Sequence, residues 1–143
     1  MNAYMNQYQN NQVTTASPEQ VLIMLYDGAI RFVRQAKSAI VDGRLGDKAT
    51  AIGKAIAIIT EFSNTLDYEV GGEIAQDLNR LYDFMVRELS AVNARNQPER
   101  LDPVEKILQE LRDAFVAAAE INRRNLAPGA AATTGTDRTA VAY

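Results

Sequence analysis

The chain has 143 residues, a net charge of −3, no cysteine and no histidine. That length supports one domain with a real core. The missing Cys and His remove disulfides, thiolate metal sites, the commonest metal ligand and the commonest neutral-pH general base, and the acidic balance gives no global attraction to nucleic acid or anionic lipid.

Residues 1–16 read as an N-terminal arm. The stretch is rich in Asn and Gln, with Tyr4, Met5 and Tyr8 interleaved. It either docks through its aromatics or frays as a terminus. Its start, Met-Asn-Ala-Tyr, lacks the basic and apolar regions of a signal peptide. Apolar runs along the chain are too short to span a bilayer. The expectation is a soluble, cytoplasmic protein without direct membrane insertion.

Four helical segments follow, as one bundle over residues 17–126. The first runs from about Pro18 to Val41. Ser17 is placed to cap it, Pro18 suits the first helical position, and Gln20 completes a capping box. On a helical wheel Val21, Leu22, Leu25, Ala29, Phe32 and Ala36 share one face, and Ile23, Tyr26 and Ile30 fall outside it. This helix carries more apolar surface than one face can hide. Asp42-Gly43 stops it.

The second helix runs from about Asp47 to Leu66, with Ile52, Ala55, Ile59, Phe62 and Leu66 on one side. Gly71-Gly72 breaks the chain. The third runs from about Glu73 to Ala94, with Ile74, Leu78, Leu81, Met85, Leu89 and Val92 at helical spacing. The fourth runs from about Asp102 to Leu126, with Asp102 as cap and Pro103 in the first turn. Matched lengths and short connections predict an all-α, antiparallel up-down four-helix bundle. Residues 127–143, APGAAATTGTDRTAVAY, have no periodicity and read as a disordered tail.

Helix 2 exceeds the apolar arc that a core-facing helix needs. Ile56 and Ile58 lie at opposite edges of that arc. Phe84 and Val86 flank the face of helix 3, and Ile107 and Ile121 lie off the face of helix 4. Packing against neighbouring helices, cover by the arm, or a groove for an amphipathic partner helix would each account for the surplus. A surface of this kind also suits simple self-association. Nothing in the pattern suggests an enzyme. The carboxylates, including Asp27, Glu61, Asp77 and Glu88, mostly alternate with Arg and Lys. No phosphate-binding glycine loop is present, and no cofactor is expected.

Several segments together resemble one family. TASPEQVLIMLYDGAIRF (15–32) is preceded by Tyr4, Tyr8 and Val13. LDYEVGGEIAQDLNRLYDFM follows at 66–85, and ILQELRDAF at 107–115. These are similar to the FliS family, flagellar export chaperones for flagellin, over roughly residues 4–125. The resemblance implies a non-catalytic cytoplasmic protein that binds the disordered C-terminal segment of flagellin. Binding would prevent premature polymerisation and support type III export. It also implies docking of the flagellin complex on the cytoplasmic domain of the export gate. Other flagellar regulators are further candidate partners. The family's arm can occupy part of the binding surface when flagellin is absent.

On this reading Ile56, Ile58, Phe62, Phe84 and Ile107 line the flagellin groove. That assignment comes from surplus apolarity, not from a motif. Tyr4, Tyr8 and Val13 form the movable arm, and Ile23, Tyr26 and Ile30 form its docking surface. Asp27 and Gly28 match the family motif and are read as positioning the arm or a helix contact. Ile58→Ala is then expected to weaken flagellin binding by about 1 to 3 kcal/mol with little loss of fold. Unchanged affinity with a collapsed melting temperature in calorimetry would instead make Ile58 a core residue. Light scattering separates the self-association reading: dimers at micromolar concentration support it, and a monomer that forms a 1:1 complex with a flagellin C-terminal peptide opposes it.

Overall fold

The computed structural model describes residues 17–125. The expected arm (1–16), with Tyr4, Tyr8 and Val13, and the expected tail (127–143) lie outside the described residues. Four helices span the rest: α1 (Pro18–Val41), α2 (Leu45–Asn64), α3 (Tyr68–Arg95) and α4 (Leu101–Asn125). They form an antiparallel four-helix bundle in which each helix packs mainly on its two neighbours in the order α1, α2, α3, α4 and back to α1.

Side-chain pairing fixes the direction of each helix. Asp27, Arg34 and Lys37 of α1 pair with Arg112, Glu105 and Asp102 of α4. Residue numbers climb on α1 by the same steps as they fall on α4, the signature of antiparallel neighbours. The same reversal holds between α1 and α2. There Gly28 faces Ile58 while the Lys54 ammonium lies 5.4 Å from the Phe32 ring centroid. Between α2 and α3, Ser63 meets Asn79 at 2.6 Å, and Lys48 donates to the Asn93 carbonyl at 2.9 Å.

The capping box on α1 is formed as the sequence predicts. The Gln20 N–H donates to Ser17 Oγ at 3.2 Å, and the Ser17 N–H donates to Gln20 Oε1 at 3.0 Å. Two other boundaries differ from expectation. Asp67 accepts from the Glu69 and Val70 N–H groups, so α3 starts at Tyr68 rather than Glu73. The interruption expected at Gly71-Gly72 is present: helical geometry is lost at Gly72, the run expected from Glu73 follows it, and the Asp67-capped turn from Tyr68 is added in front. Gly72 takes φ 50°, ψ −122°, a conformation open to glycine and strained for other residues. At the other end of α3, a 3-10 turn (Pro98–Arg100) runs straight into α4 at Leu101. Asp102 therefore sits inside the first turn, and its carboxylate goes to Lys37.

The buried face of α1 is Leu22, Tyr26, Ala29, Ile30, Val33, Ala36 and Ala39. Val21, Leu25 and Phe32, which the wheel centred, are half-buried flanks. The face is turned because α1 packs between α2 and α4 and must cover both.

The centre of the core holds an aromatic layer. Tyr26 stacks on Phe62 at 4.3 Å between centroids and on Phe115 at 5.5 Å. The Tyr26 and Tyr82 hydroxyls meet at 2.7 Å across the bundle. Each buried phenol thereby gains a partner, which limits the cost of removing it from water. Burial pushes the Tyr82 hydroxyl up from 10.0 to about 12, with the hydrogen bond from Tyr26 acting the other way. Tyr26 is raised further, first by burial and then by Tyr82.

Both shifts favour the neutral phenol in the fold. The Tyr82 contribution is fully present below pH 10 and is lost as pH rises through about 12, while that of Tyr26, raised further, goes on being lost at higher pH. Denaturant melts are therefore expected to show a stability loss between pH 10 and 12 that is smaller in Tyr82→Phe. An equal loss in both proteins would contradict this account of the layer.

Candidate functional site, an apolar strip between α3 and α4

The four seams of the bundle are not closed equally. The α1–α2 seam is the tightest and the α3–α4 seam the loosest. The cause lies in α4. Leu101, Val104 and Leu108 are fully buried, but no residue from 109 to 125 is. On α3, by contrast, buried residues run from Ala75 to Val92.

Helical phase assigns each side of α4. The side bearing Glu105 and Arg112 faces α1, through Arg34 and Asp27. At ~100° per residue, Ile107, Leu111, Ala114, Ala118 and Ile121 fall on the other side, toward α3. Glu88, which pairs with Arg100 at 3.0 Å, marks the α4 side of α3. Ile74, Leu81 and Phe84 lie on that same side, one or more turns before it. Apolar rows from two antiparallel helices thus flank one seam. Phe84, Ile107 and Leu111 are half-buried against the core, while Ile74 and Ile121 are 51% and 48% exposed. Tyr68 and Val70, before the kink at Gly72, are also about half exposed. From Ile107 to Ile121 the strip is roughly 21 Å long, about four helical turns.

An exposed apolar row of this length suits the apolar face of another helix. Among the described residues the strip has one interhelical ion pair, Arg100–Glu88, at its closed end. No group of three or more metal-ligating side chains occurs among the described residues. No described helix is long and apolar enough to cross a membrane.

The five residues expected to line one groove separate into different places. Phe84 and Ile107 flank the α3–α4 strip. Ile56 is half-buried on the α3-facing side of α2. Ile58 and Phe62 are core residues at 4% and 2% exposure, so neither lines an open groove. Ile58 packs where α1 comes close at Gly28, and Phe62 stacks on Tyr26. The surplus arc of α2 is thus consumed by α1 on one side and the aromatic layer on the other.

The expected docking surface for the arm also changes. Tyr26 and Ile30 are buried in the bundle, at 0% and 4% exposure. Ile30 lies on the side of α1 that α4 covers, and Tyr26 belongs to the aromatic layer. Only Ile23 of the three remains half-buried. Asp27 makes a helix contact, accepting from Arg112 Nε at 2.8 Å. Gly28 is not needed for close approach. An added Cβ would lie 3.7 Å from Ile58 Cδ1, an ordinary contact. Ile74 and Ile121 were not singled out as groove residues. Their exposure depends on how α4 sits on α3, which a single-helix wheel does not contain.

A cleft of about 580 Å³ lies between α1 and α4. Its lining includes Asp27, Arg31, Arg34 and Arg112, so it is a charged seam and does not suit an apolar face. Stability measurements separate core from strip. Ile58→Ala is expected to cost about 2 to 5 kcal/mol, as core truncations do. Ile74→Ala, half exposed, is expected to stay within about 1 kcal/mol of the parent. Equal losses in urea melts would place Ile74 in the core as well.

The fold and strip can be set beside known proteins. The sequence profile described as "Flagellar protein FliS" matches residues 1–122. The Vibrio cholerae protein named flagellar secretion chaperone FliS is 37% identical over 115 residues, covering 80% of this chain and 85% of the relative. The Salmonella typhimurium protein of the same name is 38% identical over 114 residues, covering 79% and 84%. The Bacillus subtilis one is 34% identical over 118 residues, covering 82% and 87%. A solved structure described as "Crystal structure of flagellar chaperone from bacteria" superposes with a TM-score of 0.69 at 21% identity. It covers 82% of this chain and 95% of its own, and supports the bundle fold. Profile and relatives agree over nearly all of the helical region: the chain belongs to the FliS family of flagellar proteins.

Proposed function

We propose that the chain is a flagellar secretion chaperone that holds the C-terminal segment of flagellin on the α3–α4 strip. The observation that carries this reading is the half-exposed apolar strip itself, formed by Ile74, Phe84, Ile107 and Ile121 on a bundle of this family. The Vibrio cholerae and Salmonella typhimurium relatives, both flagellar secretion chaperones by name, support the secretion role. An amphipathic helix about four turns long would bury its apolar face there. The same face would otherwise meet another flagellin, so its capture blocks premature assembly. A client that folds on binding spends part of the interaction energy on ordering, which keeps affinity moderate and release possible.

The chaperone works in the cytoplasm and catalyses nothing. It delivers its client to the cytoplasmic domain of the export gate, where the complex comes apart without chemistry on the chaperone.

Calorimetry with a flagellin C-terminal peptide tests the reading. A 1:1 complex is expected, weakened by about 1 to 3 kcal/mol in Phe84→Ala or Ile107→Ala. Unchanged affinity in both variants, with loss in Ile56→Ala, would move the client to the α2–α3 side.

A further inference from the structure

The second half of α4 is held differently from the first. Residues 101–108 are fixed by three fully buried side chains. Beyond Leu108 none is buried. The ion pairs to α1 form a ladder that ends one turn later, at Arg112: Lys37 with Asp102, Arg34 with Glu105, Arg112 with Asp27. Arg112–Asp27, at 2.8 Å, is the last rung. After it, the ion pairs of α4 stay within the helix, joining Glu120 to Arg123 and Arg124. Leu111 and Phe115 pack half-buried against the core, Phe115 with its ring on Tyr26. On the far side, the α3 seam offers the half-exposed strip and no ion pair among the described residues beyond Arg100–Glu88.

We propose that residues 109–125 of α4 are a movable wall of the client strip, and that the Asp27–Arg112 pair is its latch. The inference rests on the strip being the client site. The wall pivots on the buried Leu101–Leu108 segment, which stays in place. An outward swing, away from α1 and α3 together, breaks the pair and widens the seam, so the latch sets how often that happens. Both latch side chains are partly solvent-exposed, Asp27 at 47% and Arg112 at 31%, so the pair is weak and screened by salt. A binding-competent state that is only partly populated lowers apparent affinity by its fraction. Releasing the latch therefore speeds client capture.

Hydrogen exchange on the full free chain tests the latch without any client. In Asp27→Asn and in Arg112→Gln, exchange over residues 113–125 is expected to rise about fivefold, the factor that a pair at the upper end of exposed values carries. Residues 101–108 and the core of α1 to α3 are expected to keep the parent rate. The swapped pair, Asp27→Arg with Arg112→Asp, is expected to restore slow exchange. The association rate of a flagellin C-terminal peptide is expected to rise by a similar factor in the single variants. Unchanged exchange, or an even rise across the whole bundle, would overturn the latch. Faster exchange over 113–125 with an unchanged association rate would overturn its control of the strip. Failure of the parent chain to bind the peptide counts against the client reading instead, and the exchange data still decide whether the latch exists.

Discussion

Leu101, Val104 and Leu108 carry all the full burial of α4, and the open strip follows from that. Burying each such side chain contributes roughly 1.5 to 3 kcal/mol, enough to fix the start of the helix in the bundle. The remaining residues of α4 add half-buried contacts and exposed ion pairs, which contribute little each. A bundle in which all four helices were buried along their length would have no apolar row left to offer. Here the core is complete across α1, α2 and α3, and the fourth helix closes only part of it. The exposed ends of the strip, Ile74 and Ile121, are what remains where closure stops.

The division of labour between the seams has a physical logic. The α1–α4 seam is polar and in strict register, with paired charges at matching steps. Charged seams specify alignment better than they add stability. The α1–α2 seam and the Tyr26–Phe62–Tyr82 layer supply the rigid body. A strip on such a body can accept a partner helix without the fold being rebuilt. The charge ladder keeps α4 aligned while leaving its apolar edge exposed toward α3.

Much of this was legible in the sequence because it is local. The α1 cap is written in Ser17, Pro18 and Gln20, and the helix count and antiparallel order follow from periodicity and short turns. The helical run after Gly71-Gly72 is legible from its periodicity, whereas the single turn in front of it, capped by Asp67, is too short to carry an apolar pattern. The site was only partly legible. Surplus apolarity marks a helix that needs more cover than one neighbour, but it does not say which neighbour provides it. Ile58 and Phe62 looked surplus on α2 alone and are core once α1 and the aromatic layer are in place. Tyr26 and Ile30 changed for the same reason. Phe84 and Ile107 stayed at the surface edge because the helices that could cover them are each other's, and α4 does not close on α3.

The most direct measurement is methyl NMR of the isoleucines during titration with a flagellin C-terminal peptide. Ile74, Ile107 and Ile121 sit on the strip, Ile56 on the α3-facing side of α2, and Ile52 and Ile59 in the core. The account predicts large shifts at Ile74, Ile107 and Ile121, with Ile52 and Ile59 little changed. Shifts centred on Ile56, with the three strip methyls unmoved, would contradict it.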